Sequence, residues 1–397
     1  MINIKHKENC CGCTACENIC GRHAIKMEAD EFGFKYPKIN RTVCVDCEKC
    51  EAVCPIVNPL KKDDAYSQLY YGGRLISQEL LIQSQSGGIS KKIADTIISL
   101  GGIAYGVIFD ESLRVVHVRA CNQRDSDKFR KSKYVQSDLS GIFQELAQDL
   151  KKDKRVVFFG TSCQVAGLLS YCSSRKIRLH NLITIDVICH GVQSPLYWRD
   201  YISYITKKYN KEIVAYDFRD KENGGWSNAR SSVTFINGEK IYPKRNFYHP
   251  ILFRPSCYYC KFASFDRVSD ITIGDFWGIE KLGLTPYCDN KGVSLILVNS
   301  EKGNQIFELI KGDLTIFKTD KINCVQPQLI GPCIRPKDKD RWDNLYLKKG
   351  FKKACKELGI ILIPSRFELI IKSLKRKIKY FCNTYEKNRD INIPLGF

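Results

Sequence analysis

No stretch of this chain is long and apolar enough to span a bilayer, which argues against a membrane-spanning protein. The N-terminus, MINIKHKENCCGC, lacks the apolar h-region of a secretory signal, so the expected location is the cytoplasm. No G-x-G-x-x-G follows an apolar run, and no G-x-x-x-x-G-K followed by Ser or Thr occurs. Neither a dinucleotide fingerprint nor a P-loop is therefore supported. Internal repeats are missing outside two cysteine runs, and so is low-complexity sequence. What remains is an ordinary globular composition, 44% hydrophobic and 27% charged over 397 residues, enough for two or three domains.

Cysteine is the abundant residue, with twenty copies. Thiols stay free in a reducing compartment, so clustered cysteines point to metal or redox chemistry rather than a disulfide framework. Charge is also in excess, at a formal +20, and it is uneven. Residues 1–60 hold eight basic and eight acidic side chains, whereas residues 335–397 hold seventeen and seven. A basic surface attracts phosphates, acidic partners or an anionic membrane. It is also compatible with a merely solvated surface.

Cys10, Cys13, Cys16 and Cys20 follow C-x2-C-x2-C-x3-C, and Cys44, Cys47, Cys50 and Cys54 repeat it, with Pro55 after the last. This is the bacterial ferredoxin run, in which the fourth cysteine of each run ligates the other cluster. One [4Fe-4S] cluster is expected on Cys10, Cys13, Cys16 and Cys54, a second on Cys44, Cys47, Cys50 and Cys20. Structural zinc favours two separated pairs and fits this pattern poorly. Gly21 replaces the proline that would end the first run. Cys11 falls outside the pattern and reads as a bystander.

Beyond residue 61 helical periods alternate with short apolar runs, as an α/β fold requires. ISKKIADTIISLG (89–101) reads as a helix with Ile89, Ile93, Ile97 and Leu100 on one face. DLSGIFQELAQDL reads as another. Strands are expected at 103–109, 113–120, 156–159, 182–188, and at ITIGDF and VSLILV. Asn237-Gly238 signals a hairpin. The loop QSGGIS (85–90) precedes a helix, where its N–H groups could face an anion. An ordinary helix cap reads the same way.

A series of short motifs resembles the catalytic domain of the coenzyme F420 hydrogenase/dehydrogenase beta-subunit family. They are QSGG (85–88), SKYVQS (132–137), GTSCQ (160–164), VICHG (187–191), SCYYC (256–260) and DITIGDFWG (270–278), with KGVSLILVNSEKG (291–303) as the closing strand and helix start. They cover roughly residues 66–310 in the expected order, after a ferredoxin domain, an arrangement also known in the family. The resemblance implies FAD and a third [4Fe-4S] cluster on Cys163, Cys189, Cys257 and Cys260. Spacing alone does not join those four, although Cys163 and Cys189 each follow an apolar strand, and such strand ends converge on one crevice. As alternatives, Cys163 and Cys189 are small buried hydrophobes and Cys257/Cys260 are half of a zinc site.

On the same resemblance, Ser86, Gly87, Gly88, Lys133, Tyr134 and Trp277 are the candidates for binding the flavin. Asp275, at a strand end, is a candidate for ring bonding or proton transfer, or a cap. His190 follows a proposed ligand and is a candidate for tuning it, or a turn residue. A flavin exchanges both single electrons and pairs, which suits it to link clusters to organic chemistry.

The expected organisation is a ferredoxin-like domain (1–60), a mixed-sheet α/β flavin-binding catalytic domain (61–334) and a basic helical C-terminal extension (335–397). The expected activity is that of an FAD-dependent iron–sulfur oxidoreductase acting on a two-electron organic substrate, coenzyme F420 or a polysaccharide-biosynthesis intermediate. Its expected partners are a ferredoxin or another redox protein and a small-molecule electron donor or acceptor. The rival reading is an electron-transfer subunit that relays electrons to a partner enzyme. A zinc-containing nucleic-acid binder is disfavoured by the ferredoxin runs, and no nucleic acid is expected. SRFELIIKSLKRKIKYF (365–381) segregates Phe367, Ile370, Ile371, Leu374, Ile378 and Phe381 from Lys372, Lys375, Arg376 and Lys379. That pattern allows weak contact with an anionic membrane or packing on the chain's own body.

Overall fold

The computed structural model describes residues 2, 4, 6–61, 65–222, 224–243 and 248–360. The basic stretch 365–381 lies outside the described residues. At the N-terminus come α1 (Ala15–Ile19), a hairpin of β1 (Ile25–Ala29) and β2 (Lys35–Ile39), and α2 (Lys49–Ala52). The body opens with β3 (Leu69–Leu75), α3 (Gln78–Gln83), α4 (Ile89–Ser99), β4 (Ile103–Phe109), β5 (Val115–Ala120) and α5 (Gln123–Asp127). It continues through α6 (Ile142–Lys151), β6 (Val156–Thr161), α7 (Ser162–Ser174), β7 (Leu182–Val187) and α8 (Pro195–Tyr209). A small sheet follows, β8 (Ile213–Asp220), β9 (Arg230–Phe235) and β10 (Lys240–Ile241). Last come β11 (Ile271–Asp275), β12 (Ser294–Val298), α9 (Glu301–Ile310), β13 (Leu314–Thr319), α10 (Pro327–Ile330) and α11 (Lys339–Glu357).

Eight strands form one mixed sheet in the order β13-β3-β12-β11-β7-β6-β4-β5. Its centre, β4, β6, β7 and β11, is parallel, and antiparallel pairs flank it on both sides. The expected mixed-sheet α/β fold with a ferredoxin-like N-terminal region is what the chain adopts. Local sequence explains the elements that matter for the site. In α4, Ile89, Ile93 and Ile97 are buried, and Gly101 in the left-handed region stops the helix. Thr161 and Gln164 form a capping box at the start of α7, with the Thr161 N–H on Gln164 Oε1 at 2.9 Å. The GTSCQ motif thus fixes where β6 ends and α7 begins. One strand starts later than periodicity suggests: Leu113 sits at φ 57° in a turn tied by Asp110, so β5 begins at Val115.

The N-terminal segment and the body share a core. Cys13, Ala15, Cys16 and Ile19 pack in one buried cluster with Phe143 and Leu146 of α6 and Val165, Leu168 and Tyr171 of α7. Gly167 permits this approach. A Cβ there would stand 2.7 Å from Cys13 Cβ and 2.8 Å from its Sγ.

Candidate redox site

The two N-terminal cysteine runs repeat a backbone conformation as well as a spacing. Gly12 and Asp46, each just before the second cysteine, have φ 72° and 48°, and Thr14 and Glu48, each just after it, have 66° and 59°. Left-handed residues on both sides of the second cysteine curl the chain so that backbone N–H groups can line a concave face, a shape suited to an anionic guest. Cys13, Cys16 and Cys54 are buried. Burial, then the neighbouring Cys10 and Cys54, push the Cys16 thiol up, and burial with Cys10 close by raises Cys54. Cys13 is lowered most by its neighbour Cys11, but burial with Cys16 and Cys10 nearby raises it overall. In the other expected set, Cys20 Sγ accepts from the Ala24 N–H and Cys50 Sγ from the Ile2 N–H, both at 3.3 Å. Cys47 is exposed.

The body cysteines also meet. Thr161 and Val187 are partners in the β6–β7 register, so Cys163 and Cys189, each two residues further on, leave neighbouring strand ends at the same level. Cys257 lies in the 3-10 turn Pro255–Tyr259 and Cys260 caps it. All four line a cavity of about 110 Å³. The Cys189 thiol is pushed up to about 12, by burial first and Cys163 next, and Cys260 to about 11 from the same causes. Cys257 rises through burial and then Cys189. Such thiols ionise when a cation or cluster replaces their protons. Backbone N–H groups of Gly191 and Val192 reach Cys189 Sγ at 3.4 Å and Cys257 Sγ at 3.5 Å.

Arg267, 3% exposed, lines the same cavity. Its Nη1 binds Ser162 Oγ and stands 3.3 Å from Asp186 Oδ2, while its Nε and Nη2 have no protein partner. Two orphaned donors beside four thiols suit an anionic sulfur-rich group. Among the described residues, no three of His, Cys, Asp and Glu are close enough to hold a single metal ion. Tetrahedral zinc needs its sulfurs roughly 4 Å apart, from a bond of about 2.3 Å. A cluster, with iron and sulfide inside the thiolates, takes a wider frame.

A second cavity, about 390 Å³, opens where β6, β7 and β11 end beside the start of α4. Ligand pockets run from roughly 300 to 1,000 Å³. Thr161, Cys189, His190, Gly191 and Val192 line both cavities and form the wall between them. Of the candidate flavin contacts, Ser86, Gly88, Lys133, Tyr134 and Trp277 line the larger cavity, and so do Asp275 and His190. Gly87 does not: its N–H is committed to Ser294 Oγ at 2.9 Å, and a Cβ on it would meet the Gly73 carbonyl at 2.2 Å. Ser86 Oγ donates to the Val293 carbonyl at 2.7 Å. Lys133 Nζ donates to the carbonyls of Lys128 and Arg130, and burial pushes its ammonium down to about 7. Burial likewise lowers His190.

Asp275 is held on both oxygens. Oδ2 pairs with Arg219 and Oδ1 accepts from Trp226 Nε1 at 2.6 Å. Trp226 stacks on Trp277 with centroids 4.8 Å apart, and the Arg219 guanidinium covers Trp277 at 5.1 Å. Tyr134 lies 4.5 Å from Tyr248. Buried polar atoms of cavity residues, Gln85 Oε1 and Arg130 Nη1 among them, have no protein partner. The cavity therefore offers cations, unmatched polar groups and aromatic faces, which suits a phosphate-bearing aromatic cofactor. Sequence reasoning missed Arg219, Tyr248, Arg254 and Arg267.

Residues 153–321 match the C-terminal region of the coenzyme F420 hydrogenase/dehydrogenase beta subunit, and residues 9–57 the 4Fe-4S dicluster domain. That beta-subunit region contains Cys163, Cys189, Cys257, Cys260, Asp275 and Trp277, whereas Ser86, Gly87, Gly88, Lys133 and Tyr134 precede it. A curated relative, an F(420)H(2) dehydrogenase subunit of Methanosarcina mazei, is 21% identical over 370 residues, covering 90% of this chain and 95% of the relative. One chain of the F420-reducing [NiFe] hydrogenase complex from Methanosarcina barkeri is 18% identical, covers 76% of this chain and 94% of its own length, and superposes with a TM-score of 0.45. With its dicluster domain and beta-subunit region, the chain is an iron–sulfur protein of the oxidoreductase class. No helix among the described residues is long and apolar enough to cross a membrane.

Proposed function

We propose that this chain is an FAD-dependent oxidoreductase that passes electrons between three [4Fe-4S] clusters and a two-electron organic substrate. One observation carries the reading: the cavity of the four body cysteines shares the wall Thr161 and Cys189–Val192 with the larger cavity. The cluster ligands are Cys10, Cys13, Cys16 and Cys54, then Cys44, Cys47, Cys50 and Cys20, then Cys163, Cys189, Cys257 and Cys260. FAD, when bound, supplies the exchange between single electrons and pairs. The chain's own residues bind, orient and exclude water. Ser86, Gly88 and the start of α4 face the anionic part, with Lys133 and Arg130 as cations. Tyr134, Tyr248 and Trp277 give aromatic surface. Arg219 fixes Asp275, which closes the strand-end side of the cavity. His190 stands in the wall between the two cavities.

The curated relative names F(420)H(2), so a reduced deazaflavin is the first substrate to test and a polysaccharide-biosynthesis intermediate the second. The relative's being a subunit also supports the second reading, an electron relay to a partner enzyme. Either reading suits a reducing cytoplasm and a redox-protein partner. Anaerobically reconstituted chain is expected to hold about twelve iron atoms and one FAD. About eight iron atoms with zinc in the remainder would remove the third cluster. In Cys257→Ser with Cys260→Ser, FAD is expected to stay bound while reduction from the N-terminal clusters stops. Rapid flavin reduction in that variant refutes the assigned route.

A further inference from the structure

Arg254 has no exposed surface, and among the described residues no carboxylate forms an ion pair with it. A guanidinium keeps its charge at any ordinary pH, and a buried charge without a counter-ion is strongly disfavoured. Its hydrogen-bond partners are almost all neutral. Nε donates to the Cys10 carbonyl at 2.8 Å, Nη1 to Gln136 Oε1 at 2.9 Å and Nη2 to the Lys35 carbonyl at 2.9 Å. The guanidinium also lies 4.2 Å from the Tyr36 ring centroid and 5.5 Å from that of Phe34. The remaining contact is sulfur: Nη2 stands 3.6 Å from Cys10 Sγ.

The position is a junction between the two cysteine sites. The Arg254 backbone N–H donates to the Val192 carbonyl at 3.0 Å, and its carbonyl accepts from the Cys257 N–H at 2.9 Å. Its side chain reaches back to the first N-terminal run, where Gln136 also donates to the Cys11 carbonyl at 3.2 Å. Gly12 makes room: a Cβ there would come within 3.0 Å of Arg254 Nη1 and 2.6 Å of Gln136 Nε2. Cys11 itself lines the cavity of the body cysteines and packs against the buried cluster that contains Cys13. The two sites are therefore in contact through Cys11 and Arg254.

We propose that Arg254 is the counter-charge of this junction, and that its fixed positive charge raises the reduction potential of the cluster held at Cys10. The proposal rests on the cluster assignment above. A cluster ligated by four thiolates is net anionic and gains one more negative charge on reduction. A buried cation in hydrogen-bond contact with a ligand sulfur stabilises the reduced form more than the oxidised one. Arg254 is a positioning residue for electron transfer and takes no part in bond making.

The test is potentiometry followed by electron paramagnetic resonance on the reconstituted full chain, with Arg254→Gln and Arg254→Lys beside wild type. Gln keeps a hydrogen-bonding side chain without the charge, and Lys keeps the charge without the fork. The expected result is a shift of one cluster midpoint to more negative potential in Arg254→Gln, with Arg254→Lys close to wild type. Equal potentials in wild type and Arg254→Gln, at unchanged iron content, overturn the proposal. Should Arg254→Gln fail to hold its iron, retention by Arg254→Lys supports the charge role. Loss from both variants shows that only the fork geometry mattered and overturns it. A wild type that folds but lacks the four irons at Cys10, Cys13, Cys16 and Cys54 instead refutes the underlying assignment.

Discussion

Under the proposed flavin assignment, Lys133 would make cofactor binding depend on pH. Its ammonium commits two N–H groups to the Lys128 and Arg130 carbonyls, so protonation adds a third donor, and burial holds its pKa near 7 rather than the usual 10.5. Between about pH 7 and 10.5 the unfolded chain carries a proton that the folded one has released, so this group makes stability rise with pH across that window. An anionic ligand acts in the opposite sense, because it favours the protonated lysine. FAD affinity is therefore expected to fall above pH 7, by at most about tenfold per pH unit for one linked proton. Flavin fluorescence on release, followed from pH 6 to 9, reads this directly, and Lys133→Met should flatten the profile. A slope unchanged in Lys133→Met removes Lys133 from the binding site.

Among the elements, α7 carries the most. Its first turn presents Cys163 to the body cysteines, and Gly167 lies against Cys13 of the N-terminal run. Gly167→Val forces Cys13 or the helix to move, since overpacking costs about 1–3 kcal/mol. Loss of about four iron atoms with FAD retained is the expected outcome, measured by iron and flavin analysis on one sample. Full iron content in Gly167→Val would show that the contact has slack. Much at this scale was legible beforehand. The parallel strands read as apolar runs, Asn237-Gly238 marked its hairpin, and the cysteine runs are local in sequence. Ser194-Pro195 followed by Tyr197, Trp198, Tyr201 and Ile205 was an equally clear start and stripe for α8, and it went unread. The convergence of Cys163, Cys189, Cys257 and Cys260 is different in kind, because it depends on strand order and register. Without a resemblance to follow, no local pattern contains it. Arg254 and Arg267 were invisible for a related reason: an isolated arginine reads as solvated surface until the fold shows it buried.

At the scale of the whole molecule the question is where the folded body ends. Against the expected division at 335, we propose that the body runs on through α11, and truncation tests it. In α11, Trp342, Tyr346 and Phe351 share a buried cluster with Tyr197, Trp198 and Tyr201 of α8, and Trp342 is completely buried. Removing one such aromatic costs about 3–5 kcal/mol, a large share of the roughly 5–15 kcal/mol by which a domain is typically stable. A chain ending at 334 is therefore expected to lose its cooperative thermal transition, whereas one ending at 360 keeps every aromatic of that cluster and is expected to keep it. The same shorter chain addresses the basic stretch. Lys372, Lys375, Arg376 and Lys379 contribute about 1 kcal/mol each at an anionic surface, screened by salt. Full-length protein should then sediment with anionic liposomes at low salt and the chain ending at 360 should not, with flavin and iron unchanged in both. Loss of flavin on removing 361–397 would instead assign the apolar stripe to the core. Failure of the full-length chain to sediment would leave the basic charge as ordinary solvated surface.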